Sequence, residues 1–242
     1  MKVNAIIQAR CGASRFPNKV FADIDGKPLI WHVVERLKRA KTIDDIVVAT
    51  TDKDIDNAIS TWCKKEQVKC YRGSEDDVLN RYYEASKMYP SEIVVRITAD
   101  DPFKEPSVVD AVVTKLINEN LDLSTNNYPP SFPEGLDCEA FWFCVLDKME
   151  HEARDSFDRE HVTQFAYRNP KLFKIGNISC EQQLSKYRWT IDEEKDLNMV
   201  REIYSNRQNA GMLYMDEILE ILDKHPEIMD INSDVMRSTM YK

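Results

Sequence analysis

Val3-Asn4-Ala5-Ile6-Ile7-Gln8-Ala9-Arg10-Cys11-Gly12-Ala13-Ser14-Arg15-Phe16-Pro17-Asn18-Lys19 lies at the head of the chain. Val3 to Ala9 is an apolar run of strand length, and it breaks into a loop holding one Gly, one Pro and three cations. A buried strand ending in such a loop offers backbone N–H groups to phosphate, with cations alongside. Residues 1–41 hold nine Lys/Arg against three Asp/Glu, a local +6 in a chain of net charge −9, so the remainder carries −15. That asymmetry predicts a cationic, anion-binding edge on an acidic protein. No second basic stripe extends it, which argues against nucleic acid as a partner.

A length of 242 residues suits one large domain, and 43% hydrophobic content supplies its core. No apolar run reaches membrane-spanning length and no signal-peptide pattern opens the chain, so a cytoplasmic protein without membrane contact is expected. The six Cys and four His are scattered without a C-x-x-C pair. Reduced, buried thiols are therefore expected rather than a zinc site or disulfide framework.

Strand and helix signals alternate from the first strand onward. Pro28 opens a helix with apolar residues at Leu29, Ile30, Val33, Val34 and Leu37. A strand follows over Asp45–Thr50, a helix to Lys65 capped by Asp52 or Asp54, and a strand over Val68–Arg72. Ser74 to Asp77 resembles a capping box for a helix from Val78 to Met88, with Arg81 placed to pair with Asp77. Ile93–Ile97, a helix from Pro106 and Leu121–Ser124 complete the series. The alternation predicts an α/β three-layer sandwich around a mostly parallel sheet, with ligands beyond the carboxyl ends of its strands. Residues 126–187 read as a substrate-side or dimerisation lobe within a single domain of residues 1–230. Tyr187–Asp192 reads as a returning strand and 231–242 as a tail.

Several groups carry candidate chemistry. Arg10, Arg15 and Lys19 are placed to surround a triphosphate, with Gly12 and Ser14 in the same loop. The loop is neither a Walker A sequence nor a G-x-G-x-x-G turn. Gln8, Ala9 and Thr98 stand where the first and fourth strands meet that edge. Arg72-Gly73-Ser74 follows the third strand as a base or ribose contact, although a strand end and helix cap explain it equally. Asp100 and Asp192 each end a predicted strand, and two carboxylates plus phosphate oxygens are a usual way to hold Mg²⁺. Either one alone also serves as a helix cap. Asp158-Arg159-Glu160-His161 is expected to start a helix and to offer Arg159 to an anionic acceptor. Asn126, Asp137 and His161 are further acceptor-side candidates, the last two also as general base.

The motifs Ile7-Gln8-Ala9-Arg10-x-Gly12-x-Ser14-Arg15-x-Pro17-x-Lys19, Arg72-Gly73-Ser74-Glu75-Asp76-Asp77, Arg96-Ile97-Thr98-Ala99-Asp100-Asp101-Pro102, Phe132 to Asp137, Asp158 to Thr163 and Arg188-Trp189-Thr190-Ile191-Asp192 together resemble the SpsF-like cytidylyltransferases. These are relatives of the CMP-acylneuraminate and CMP-Kdo synthetases. The resemblance implies a nucleotide-diphospho-sugar transferase (Rossmann-like) fold and transfer of CMP from CTP to an acidic sugar or other anionic acceptor, with release of pyrophosphate. It maps Arg10, Ser14, Arg15 and Lys19 onto the triphosphate loop, with Arg10, Lys19 and Asp100 in the catalytic roles, and Asp100 with Asp192 onto a Mg²⁺ pair. It also implies a homodimer and a place in surface polysaccharide or glycoconjugate synthesis. Cys11, Ala13 and Thr98-Ala99 depart from the pattern of those relatives. Two rival readings are a glycosyltransferase of the same fold and a silent nucleotide-binding homologue. Asp100-Asp101-Pro102 in place of Asp-x-Asp disfavours the first, and the intact loop with both aspartates disfavours the second.

Overall fold

The structure, a computed structural model, describes residues 1–235. In chain order it contains β1 (Val3–Gln8), the short hairpin β2 (Asp23–Ile24) and β3 (Lys27–Pro28), α1 (Leu29–Leu37), β4 (Asp45–Thr51), α2 (Asn57–Lys65), β5 (Lys69–Gly73), α3 (Val78–Met88), β6 (Ile93–Thr98), α4 (Pro106–Asn118), β7 (Leu123–Thr125) and β8 (Glu139–Trp142). After these come α5 (Phe143–Glu152), α6 (Ser156–Glu160), α7 (Gln164–Arg168), β9 (Ile175–Asn177), α8 (Glu194–Ser205), α9 (Met215–Lys224) and a 3₁₀ segment, Pro226–Asn232. Seven strands form one sheet in the order β5-β4-β1-β6-β8-β7-β9. All are parallel except β8, which runs antiparallel to both β6 and β7.

The strand period places successive side chains in two separate cores. Val3, Ala5 and Ile7 of β1 face the core shared with α1, α4 and α8, while Ile6 faces the core shared with α3 and α5. Val95 and Val94 of β6 divide the same way. Both faces are therefore covered, as a near-continuous apolar strand requires. The α/β sandwich with a mostly parallel sheet is as expected, and no helix among the described residues is long and apolar enough to cross a membrane.

The structure departs from the expectations at several local points. Residues 126–187 contribute β8 and β9 to the central sheet. Tyr187–Asp192 is not a strand; a single bridge joins Arg188 to Glu134. The spacing of Tyr187, Trp189 and Ile191 mimics a strand, but the backbone is held by Glu134 and by the Asp100 carbonyl, which accepts from Ile191 N–H at 2.9 Å. The helix expected to start in Asp158–His161 is interrupted: α6 already begins at Ser156 and ends at Glu160, and α7 begins at Gln164. Ile228, before the expected tail, and Asn232, inside it, are buried, while residues 236–242 lie outside the described part. Every described cysteine is a free thiol, though Cys144 is exposed rather than buried.

Candidate active site

The loop after β1 is closed and anchored by its backbone. Asn18 N–H donates to the Cys11 carbonyl at 2.8 Å, and Cys11 N–H donates to Asp56 Oδ1 at 2.7 Å. Asp56 also takes the Thr51 hydroxyl, so the carboxylate ties the loop to the end of β4. It makes no capping bond to α2, which starts later than Asp52 or Asp54 would place it. The Cys11 side chain is buried beneath the loop, and burial with the Asp56 charge pushes its thiol up to about 12. It is packing, not a nucleophile.

This anchoring sends the Lys19 side chain to the carboxyl ends of the strands. Its Nζ donates to Asp100 Oδ2 at 2.9 Å, Asp192 Oδ1 at 2.9 Å and the Ile191 carbonyl at 2.7 Å, using all three ammonium protons. Asp100 follows β6. Asp192 follows the irregular segment that the Asp100–Ile191 backbone bond pins beside it. Gly135, at φ 106°, lets the neighbouring loop pass under this segment, because a Cβ there would stand 2.9 Å from the Trp189 and Thr190 backbone. Two distant carboxylates are thus brought onto one cation.

Electrostatics follow from that contact. Burial works against the charge on Lys19, but Asp100 and Asp192 outweigh it and raise its pKa. Burial likewise opposes ionisation of Asp192, yet Lys19, Arg188 and Arg15 bring its carboxyl down to about 2. Arg188, itself buried, spans Glu134, Asp192 and Asp196, and Asp196 in turn accepts from the N–H groups of Asp192 and Glu193. Because the folded value for Asp192 lies below the ordinary 3.8, its contribution is present above about pH 4 and lost as pH falls towards 2. Asp192→Asn should therefore be less stable than the parent by about 2 kcal/mol at pH 6. That gap should narrow as pH falls from 4 to 2, measured by urea unfolding at each pH. A gap that does not change with pH would contradict the assignment.

These groups floor a cavity of about 350 Å³. Gln8, Ala9, Arg10, Ser14, Arg15, Lys19 and Thr98 line it, as do Asp100, Asp192, Asp137 and His161. Arg10 and Arg15 stand at the rim with side chains 47% and 54% exposed, so they are free to re-aim where Lys19 is not. Gly12 does not line the cavity, and a Cβ there would meet only Glu75 at an ordinary 3.7 Å. Arg72 turns away and donates to the Thr51 and Lys53 carbonyls and the Asn57 amide oxygen. Gly73 continues the ladder with β4, and the Ser74 hydroxyl accepts from Asp77 N–H, so neither reaches the wall. The cap of α3 is Asp77, not Ser74. Asn126 is buried and spends its amide on the Leu136 carbonyl and Cys138 N–H.

Arg159 is also absent from the wall. It grips Asp77 with three bonds of 2.6–3.0 Å and also holds Glu150, locking α6 to the start of α3. It thereby fixes His161, which follows α6 and does line the cavity. Val162 then adopts φ 49°, a costly value for a β-branched residue, and turns Thr163 inward to Glu139. Arg159→Ala should lower stability by about 2 kcal/mol and raise the acceptor KM more than the CTP KM. Equal changes in both constants would count against a positioning role.

Sequence reasoning missed Arg81, Arg96, Glu134 and Glu139, all of which line the cavity. Glu139 accepts from Arg96 Nη1 at 2.6 Å, the Thr163 hydroxyl at 2.9 Å and the Tyr167 hydroxyl at 2.6 Å. The available signal was a charge inside each of two apolar strand runs, since buried charges need partners. Asp101 is accounted for by its buried pairing with Lys104 at 2.8 Å.

A family description, Cytidylyltransferase, matches residues 4–228 of this chain. The chain belongs to the cytidylyltransferase family. An uncharacterised Methanocaldococcus jannaschii protein is 39% identical, covering 99% of this chain and 98% of its own. The Bacillus subtilis spore coat polysaccharide biosynthesis protein SpsF is 27% identical over 92% of this chain and 94% of its own. A solved cytidylyltransferase from Leptospira borgpetersenii superposes with a TM-score of 0.89 at 32% identity, covering 95% of this chain and 97% of that one. This cytidylyltransferase is accordingly a CTP-dependent nucleotidyltransferase of the SpsF-like group with the Rossmann-like fold.

Proposed function

We propose that this cytidylyltransferase moves CMP from CTP to a small anionic acceptor, such as an acidic sugar or a sugar phosphate, and releases pyrophosphate. The observation that carries this reading is the Lys19 ammonium held between Asp100 and Asp192 at the base of a cationic loop. An acceptor oxygen forms a bond to the α-phosphorus, and the bond from that phosphorus to the β-phosphate oxygen breaks in line. Positioning and charge neutralisation carry most of such a transfer. Lys19 offsets charge at the α-phosphate, while the exposed Arg10 and Arg15 swing onto the β- and γ-phosphates.

Mg²⁺ fits the donor set, because two hard carboxylate oxygens already converge within 2.9 Å of a single cationic atom. Asp100 and Asp192 would hold it, and it would neutralise phosphate charge beside Lys19. On the β8 side, Arg96 and His161 face the cavity as donors for the acceptor. Burial and the Arg96 charge lower the His161 pKa, which keeps the imidazole neutral and able to take a proton from an acceptor hydroxyl. Asp137, on the same wall, is the second candidate for that role.

Support for a homodimer comes from Tyr128, Phe157 and Leu172, large apolar side chains left exposed within residues 126–187. Sedimentation equilibrium of the wild type should give twice the chain mass, and a monomer at micromolar concentration would refute the dimer. The likeness to SpsF supports a role in polysaccharide synthesis in the cytoplasm. The reaction is tested with each NTP, Mg²⁺ and a panel of acidic sugars, sugar phosphates and phosphonates, scoring pyrophosphate. CTP with at least one anionic acceptor should release it; no release from any pairing, despite CTP binding, would defeat the proposal.

A further inference from the structure

Arg81, on α3, is 3% exposed and lines the same cavity as Lys19, Arg96 and His161. It was expected to pair with Asp77 along its helix. Instead Asp77 is taken by Arg159, and among the described residues the Arg81 side chain makes one hydrogen bond, Nη1 to the Ser74 carbonyl at 2.7 Å. Its Nε has no hydrogen-bond partner, and no carboxylate forms an ion pair with it among the described residues. Burying a guanidinium with five donors and one acceptor is costly unless something else completes the set. Burial, reinforced by the nearby Arg10 charge, accordingly lowers its pKa. A partner missing from the protein and a position in the wall of the binding cavity both point to a ligand atom.

The triphosphate already has three cations, at the loop and at Lys19. Arg81, one turn along α3 from Val78, shares the cavity lining with Val78, Ala9 and Ala13, apolar side chains against which a flat ring can rest. Glu75, the next residue after the Ser74 carbonyl that holds Arg81, lines the same cavity. A cytosine ring presents two adjacent acceptors, O2 and N3, and one donor, the 4-amino group. Uracil presents a donor at N3 and an acceptor at O4. A fixed guanidinium matches the first pattern and opposes the second, and a carboxylate next to it does the same for the 4-position.

We infer that Arg81 is a specificity-determining residue that donates to the O2/N3 edge of the nucleobase and so selects cytosine over uracil. The inference rests on the proposed CTP-dependent transfer at the same site.

The test measures wild type, Arg81→Lys and Arg81→Met by calorimetric binding of CTP, UTP and 3-deaza-CTP, in which a C–H replaces N3, and by thermal melting. Wild type should bind CTP at least about tenfold more tightly than UTP or 3-deaza-CTP. In either variant the three affinities should converge through weaker CTP binding. If wild type binds 3-deaza-CTP as tightly as CTP, the inference is overturned even should both variants fail to fold. It is likewise overturned if the variants weaken all three ligands by the same factor, the result of a purely structural role. Failure of wild type to bind CTP at all would instead defeat the underlying reading, so the two failures are distinguishable.

Discussion

Lys19→Ala is expected to lower kcat by about 10²–10³-fold while leaving the CTP KM within a few-fold. The ammonium sits where charge develops on the transferred phosphoryl group, and no neighbour can replace it: Arg10 and Arg15 are exposed rim residues, and Arg188 is committed to Glu134, Asp192 and Asp196. Lys19→Arg should be nearly as damaged. The three acceptors around Nζ lie at 2.7–2.9 Å, a pocket for a compact point charge rather than a planar fork. Lys19→Ala also leaves Asp100 facing Asp192 without the cation between them, so the Asp100 carboxyl should move from below to above its ordinary range. Steady-state kinetics with CTP varied at saturating acceptor separate the two constants. A Lys19→Ala enzyme that keeps wild-type kcat would remove Lys19 from the reaction.

Asp100→Asn and Asp192→Asn should each raise the Mg²⁺ concentration giving half-maximal rate by at least about tenfold, and lower the rate at saturating Mg²⁺. The two should differ in stability. Asp192 is bonded by Lys19, Arg188 and Arg15, whereas Lys19 is the one cation paired with Asp100 among the described residues. Asp192→Asn should therefore be the more destabilised in urea. Titration of Mg²⁺ against rate at saturating CTP reads the first effect. Either variant responding to Mg²⁺ as wild type does would remove that aspartate from the metal pair.

What was legible in the sequence was whatever depended on neighbours in the chain. Val3, Ala5, Ile6 and Ile7 make β1 apolar on both of its covered faces, and the break at Arg10 marks the sheet edge. Asp100 was readable as the residue following a strand. Asp192 was found for a partly wrong reason, since the segment before it is irregular and is drawn in by the Asp100 carbonyl. The errors lie where a side chain chooses between near and distant partners. Arg159 looked like a contact for an anion because nothing within its own segment claimed it; Asp77, 82 positions away, does. Arg81 looked like an ordinary helix-face pair because Asp77 stands four residues before it. Arg72 had a free strand end to reach from, yet the Thr51 and Lys53 carbonyls hold it. Local spacing cannot rank such competitors, because the winner is set by which elements the sheet order makes adjacent.

Cytidylyl transfer at the Lys19 centre is read out by following the α-phosphate. Wild type and Lys19→Ala are incubated with CTP labelled at the α-phosphorus, Mg²⁺ and an accepted acceptor. The account predicts that wild type passes the label to the acceptor as CMP, with one unlabelled pyrophosphate released per product, and that Lys19→Ala does so at least a hundredfold more slowly. Label recovered as CDP with inorganic phosphate, or equal rates in the two proteins, would contradict it.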